Sequence, residues 1–85
     1  MKLISQDEAA SLKAGQRVNV YWFSPRAPKG DSVPTREYGG RTEYLESVWK
    51  DCVVKDEPYM SASDGWLVLL EGKGNAFCAS RMELV

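Results

Sequence analysis

Apolar and polar residues alternate most regularly near the start of the chain. Val18, Val20 and Trp22 fall on one side of an extended segment, whereas Tyr21 and Phe23 fall on the other side. A period of two is typical of a β-strand that buries one of its faces. The pattern therefore predicts a strand whose valines point into a core and whose Tyr21 and Phe23 side chains point outward.

The second half of the chain contains further strand patterns separated by turn sequences. Thr42 to Lys55 has apolar residues at helical spacing but also several β-branched residues, and we interpret it as a strand. Trp66 to Leu70 is apolar throughout and follows the tight-turn pair Asp64-Gly65, which predicts a central strand. Ala76 to Ala79 predicts another strand, followed by one helical turn and a short final strand. Together with Arg17 to Phe23, these patterns predict about five strands.

Two segments interrupt the β pattern. Ser5 to Glu8 has the sequence of a capping box, in which the first and last residues bond to each other's backbone amides, and it predicts a short helix from Gln6 to Ala14. Ser24 to Gly40 contains three of the four prolines and three glycines, without an apolar period, and predicts one long loop. Long loops in small domains often carry function, so this loop is the first place to look for binding.

Composition limits the chemistry that this chain can perform. The 85 residues are 44% apolar and 27% charged, which is typical of one globular domain, so we expect residues 1–85 to form a single domain. Histidine is absent, which removes imidazole acid–base chemistry and the commonest metal ligand. Cys52 and Cys78 cannot hold zinc alone, and we expect them to be buried, reduced thiols in a cytoplasmic protein. We expect no metal, no cofactor and no membrane contact, and a binding protein rather than an enzyme.

The net charge of −1 and the pI near 5.4 argue against general nucleic-acid binding. The charge is nevertheless unevenly distributed. Lys13 to Arg41 carries six basic and two acidic residues, whereas Thr42 to Val85 carries four basic and eight acidic residues. The Lys13 to Arg41 segment is therefore the place where a nucleic-acid partner would bind, if there is one.

The order of these patterns resembles the SH3-like barrel superfold. The similar stretches are Leu12 to Val20 as an entry strand, Trp49 to Val54 as a strand led by tryptophan, Asp64 to Leu69 as a hairpin, and Ala79 to Leu84 as a turn followed by a strand. The resemblance implies a mainly β fold: a small SH3-like barrel of about five strands with a short N-terminal helix and one long loop. The insertion after Phe23 and the lack of recognisable proline-binding residues mean that the resemblance extends to the fold alone.

Aromatic and basic residues in and around the predicted loop form the candidate binding site. Aromatic rings stack on peptides, on methylated lysine and on bases, although in a small barrel they also fill the core. We predict a module that binds a protein or peptide; a small-molecule site or enzyme formed between subunits of a homo-oligomer and a nucleic-acid accessory protein are the alternatives. The candidate binding residues are Tyr21, Phe23, Arg26, Lys29, Arg36, Tyr38 and Trp49.

Overall fold

The computed structural model describes residues 1–30 and 32–85. The described residues form two antiparallel sheets, which confirms the mainly β prediction. One sheet has the strand order β2-β3-β1-β7 and the other has the order β4-β5-β6. In chain order the strands are β1 (Arg17–Ser24), β2 (Thr35–Tyr38), β3 (Arg41–Val53), β4 (Tyr59–Ser61), β5 (Gly65–Leu69), β6 (Ala76–Cys78) and β7 (Met82–Leu84).

The two sheets are connected where β3 runs on past its end. Val54 forms an isolated β-bridge with Leu70. Backbone hydrogen bonds on both sides of the bridge, from Lys55 N–H to the Leu69 carbonyl and from Glu71 N–H to the Val53 carbonyl, are 2.8 Å long. The fully buried side chains between the sheets are aliphatic or methionine, namely Val18, Val20, Val54, Val68, Leu70 and Met82.

Irregular pairing between β1 and β3 curls the four-stranded sheet. The register shifts twice along this pair, once between Val18 and Val20 and once between Trp22 and Phe23. Asp51 lies near the first shift with a φ of 55°, and its N–H donates to the Asn19 side-chain oxygen at 3.0 Å. Because β-bulges bend a strand and increase its twist, these irregularities account for the half-barrel shape.

The N-terminal helix α1 (Gln6–Ala10) has the predicted capping box. Ser5 N–H donates to Glu8 Oε1 at 2.8 Å, and Glu8 N–H donates to Ser5 Oγ at 3.1 Å. The helix ends four residues before the predicted Ala14, because the Ser11 N–H bonds three residues back to the Glu8 carbonyl and tightens the last turn. The helices of the described chain are thus too short to span a bilayer.

The prediction of one long loop from Ser24 to Gly40 is wrong in its second half. β2 forms a hairpin with the start of β3, and the turn between them is Gly39-Gly40, with φ values of 60° and 77°. Glycine is favoured there because hairpin turns of this kind need positive φ at both central residues. The irregular connection is therefore limited to residues 25–30 and 32–34, and Asp31 of the predicted loop lies outside the described residues. The strands predicted at Thr42 to Lys55 and Trp66 to Leu70 are confirmed with small shifts in their ends.

Candidate functional site

Three half-buried aromatic rings pack together beside the aliphatic core. Trp22 on β1, Trp49 on β3 and Phe77 on β6 have ring centroids 5.0 to 5.8 Å apart, and all three pairs are edge-to-face. This geometry is the preferred one for aromatic pairs because the positive edge of one ring meets the negative face of another. We call these residues the aromatic trio. The indole N–H of Trp22 is buried and has no acceptor among the described residues.

Two positively charged side chains lie on rings of the aromatic trio. Lys73 Nζ is 4.1 Å from the ring centroid of Trp49, and Arg81 Cζ is 5.1 Å from that of Trp22. Lys73 belongs to the turn between β5 and β6, and Arg81 ends the helical turn between β6 and β7. The two turns precede and follow β6, the strand that contains Phe77, the third member of the trio. Both cations are therefore close to the trio.

An open groove begins at the aromatic trio. Its first hollow has a volume of about 370 Å³ and is lined by Trp22, Phe23, Glu46, Ser47 and Trp49. A second hollow of about 360 Å³ shares Glu46 with the first and extends toward the irregular connection. The remaining residues of the second hollow are Ser24, Arg26, Ala27, Pro28, Val33, Tyr44 and Leu45. We use "the groove" for the two hollows together.

A β-bulge determines where Glu46 lies in the groove. Trp22 pairs with Ser47 and Phe23 pairs with Leu45, so Glu46 is the extra residue of β3. The extra residue of a bulge is not paired in the regular hydrogen-bond ladder, and its side chain points in a different direction from that expected by alternation. Glu46 is exposed and lines both hollows.

Arg36 is held by contacts within the protein. Its guanidinium carbon is 4.3 Å from the ring centroids of both Phe23 and Tyr38. Its Nε donates to Glu43 Oε1 at 2.8 Å, and its Nη1 donates to the Ser80 carbonyl at 3.0 Å. Only 8% of the Arg36 side chain is exposed. We call this set the arginine clamp, since it ties the β2–β3 hairpin to the helical turn Ala79–Arg81.

Tyr21 belongs to a third arrangement, at the edge formed by β7. Its hydroxyl donates to Glu83 Oε1 at 2.5 Å, and the Lys2 N–H donates to Glu83 Oε2 at 2.6 Å. These two donors hold the pKa of Glu83 below its usual value, the Tyr21 bond being the larger cause. The same bond raises the pKa of Tyr21. Tyr21 therefore ties β1 to β7 instead of lining the groove, and the Lys2 N–H fastens the N-terminal segment to the same carboxylate.

The candidate residues from the sequence are thus divided among several places. Phe23, Arg26 and Trp49 line the groove. Arg36 and Tyr38 form the arginine clamp with Phe23, which thus belongs to both the clamp and the groove lining. Lys29 lies on the exposed part of the irregular connection. Alternation alone assigned Trp22 to the core, and Phe77 carried no signal beyond its strand, so sequence reasoning missed two members of the aromatic trio.

Cys52 offers no reactive thiolate. Cys52 and Cys78 are free and half-buried, whereas we predicted that they would be buried. Desolvation raises the pKa of the Cys52 thiol, and the nearby Lys73 charge opposes this effect only in part. A raised pKa keeps the thiol protonated near neutral pH, which is the opposite of what a nucleophile needs.

Comparison with protein-family models, curated proteins and solved structures finds no match to this chain. The function has to be inferred from the groove and the side chains that line it.

Proposed function

We propose that this domain is a non-catalytic binding module that accepts a segment of another protein in the groove. The observation that supports the proposal is that the two hollows share Glu46, one being lined by Trp22 and Trp49 of the aromatic trio and the other by Arg26, Ala27, Pro28 and Val33 of the irregular connection. An elongated surface suits an extended peptide. Aromatic rings at one end offer a rigid apolar contact that loses little conformational entropy on binding.

The accessibility of the aromatic trio supports a binding role. Val18, Val54, Val68 and Leu70 have no exposed surface, so an aliphatic core exists beside the rings. The trio packs against this core and keeps part of each ring accessible. Partly exposed aromatic residues next to a groove are typical of binding surfaces.

We also propose that the fold is an SH3-like barrel. Three features support this assignment: the long connection after β1, the tight hairpin from β5 to β6, and the helical turn Ala79–Arg81 before the final strand returns to β1. The free thiols of Cys52 and Cys78 fit a reducing compartment, and we propose a cytoplasmic location.

A substitution that fills the groove tests the proposed function. Ser47 is exposed and lines the first hollow, so Ser47→Trp inserts a large ring there without removing a packed side chain. Ser63→Trp adds the same bulk at an exposed turn outside the groove and serves as the control. Twelve-residue random peptides displayed on phage are selected against the wild-type domain, and the selected peptides are titrated by fluorescence anisotropy.

We expect a recurrent peptide pattern whose affinity falls by about tenfold or more with Ser47→Trp and is unchanged with Ser63→Trp, since about 1.4 kcal/mol of lost contact corresponds to tenfold. The proposal fails if the wild-type domain selects no peptide above background, or if both variants bind the selected peptides equally well.

A further inference from the structure

On the basis of the proposed function, we infer that the segment bound in the groove is acidic, with carboxylates on both sides of an apolar residue that packs on the aromatic trio. Charged groups in and beside the groove indicate this chemistry. Arg26 lines the second hollow, whereas Lys73 and Arg81 do not line the groove but contact the rings of Trp49 and Trp22, which line the first hollow. Each of these cations would face a carboxylate of the ligand.

The three cations have no ion-pair partner in the protein as far as the structure describes it. Within residues 1–30 and 32–85, the ion pairs are Arg17–Asp51 and Arg36–Glu43. Lys73, Arg81 and Arg26 are in neither pair. A ligand carboxylate near them therefore gains charge-assisted hydrogen bonds without displacing a carboxylate of residues 1–30 or 32–85.

The positions of Lys73 and Arg81 on the rings also disfavour a cationic ligand. A methylated lysine or a basic peptide would compete with Lys73 for the face of Trp49 and would meet the charge of Arg81 nearby. Like charges at a binding surface repel and exclude wrong partners. The ring faces that would hold a cation are therefore already in contact with cations of this chain.

Glu46 determines the order of charges in the ligand. It lines both hollows, whereas Arg26 lines the second hollow alone and the cations on the trio contact rings of the first. A carboxylate opposite Glu46 is repelled, whereas an uncharged or basic residue there is accepted. The groove therefore favours acidic residues toward the two ends of the bound segment and disfavours one at its centre.

A peptide fits these charges better than a nucleic acid does. Nucleic-acid binding usually relies on an extended basic surface that neutralises many phosphates. Among the described residues, the groove lining contains one cation, Arg26, and one carboxylate, Glu46. Lys73 and Arg81 add two cations on rings of the first hollow, and the whole chain has a net charge of −1. Acidic side chains spaced along a peptide match such isolated cations.

The test repeats the peptide selection with a charge-reversed groove, Lys73→Glu with Arg81→Glu. The control, Lys13→Glu with Lys50→Glu, makes the same change in net charge at two exposed lysines outside the groove. We expect the wild type and the control to select acidic peptides. The charge-reversed variant should lose about tenfold or more in affinity for them and select basic peptides instead. Circular dichroism of each variant verifies that it is folded.

Glu46→Lys gives a second readout that does not disturb the trio. It should increase the affinity for the selected acidic peptides several-fold, and their binding should weaken as salt is raised, because exposed charges are screened. Selected peptides that are neutral or basic with the wild type would overturn the acidic assignment and leave the proposed function standing. No selected peptide at all would refute both, and salt-sensitive binding of a fluorescent oligo-dT in the groove would replace the peptide with a nucleic acid.

Discussion

The aromatic trio and the arginine clamp both place positive charges on aromatic rings, but only the clamp gives its cation a partner. Arg36 lies between two rings, contacts Glu43 and Ser80, and is almost fully buried. Lys73 and Arg81 lie on rings of the trio without an ion pair in the described chain. The same chemical groups thus hold a hairpin in place in one region and leave a surface open to a ligand in the other.

This difference predicts opposite responses to substitution. A cation that is buried and paired contributes to folding, because its removal leaves a poorly solvated carboxylate behind. A cation that is unpaired and accessible contributes little to folding and is available to a partner. Substitutions in the clamp should therefore change stability, whereas substitutions of the trio's cations should change binding.

The largest effect is expected from Arg36→Ala. It removes the hydrogen bonds to Glu43 and Ser80 and the stacking on two rings, and we expect the free energy of unfolding to fall by about 2 kcal/mol. Arg17→Ala is the matched control, because Arg17 and Asp51 are more than half exposed and 3.8 Å apart, and we expect a change of about 0.5 kcal/mol or less. Urea denaturation followed by tryptophan fluorescence measures both, and equal effects for the two variants would contradict the assignment of the clamp.

The next largest effect is expected from Lys73→Ala combined with Arg81→Ala. Affinity for an acidic peptide should fall by about tenfold, since two charge-assisted contacts are lost. The domain should remain folded, with a loss of about 1 kcal/mol, because each exposed cation–π contact contributes about 0.5 kcal/mol. Isothermal titration calorimetry and urea denaturation of the same protein separate the two effects. If the double variant unfolds while its affinity per folded molecule is unchanged, the two cations contribute to folding and not to binding, which contradicts the prediction.

Acid should loosen the N-terminal segment. The Glu83 carboxylate there accepts hydrogen bonds from the Tyr21 hydroxyl and the Lys2 backbone N–H instead of pairing with a side-chain cation. The folded-state pKa of Glu83 lies below its usual value, so the bonds to Tyr21 and Lys2 stabilise the folded domain at neutral pH. This stabilisation is lost as the pH falls below about 4.3 and through the folded-state pKa of Glu83. Glu83→Gln should reduce this part of the acid dependence. Thermal melting between pH 3 and 7 measures it, and an identical pH profile in the variant would contradict the role given to Glu83.

The smallest effect is expected at the bulge that shapes the curled sheet. Asp51 has a positive φ of 55°, a conformation that disfavours residues with a side chain, so Asp51→Gly should relieve strain. We expect a net gain of about 0.5 kcal/mol, because the ion pair to Arg17 that it removes is exposed. Asp51→Ala is the contrasting variant and should be less stable than wild type. The prediction fails if glycine and alanine have the same effect in urea denaturation.

The strands followed from the sequence because they depend on short-range patterns. Alternation predicted β1 and its buried valines, Val18 and Val20, although Trp22 is half-buried like its neighbours Tyr21 and Phe23, and the apolar run at 66–70 marked β5. β2 was missed because its four residues are too few to show a period and follow a proline-rich stretch. The Gly39-Gly40 pair was the available signal, since it is typical of a hairpin turn.

The groove and the clamp depend on contacts between residues far apart in the chain, which no local pattern encodes. Arg36 contacts Ser80, 44 positions away, and the trio combines residues of β1, β3 and β6. The bulge at Glu46 also breaks the alternation that sequence reasoning extrapolates along a strand. Local patterns therefore named aromatic residues as candidates, but not how these residues group in three dimensions.

The most direct test of the difference between trio and clamp is an NMR titration of the ¹⁵N-labelled domain with a peptide selected by the wild type. We expect saturable chemical-shift changes for the indole N–H signals of Trp22 and Trp49 and for Arg81 Nε–H. The signals of Arg36 Nε–H and of the Trp66 indole, which is outside the groove, should not shift. Shifts at Arg36 with no change at the aromatic trio would contradict it.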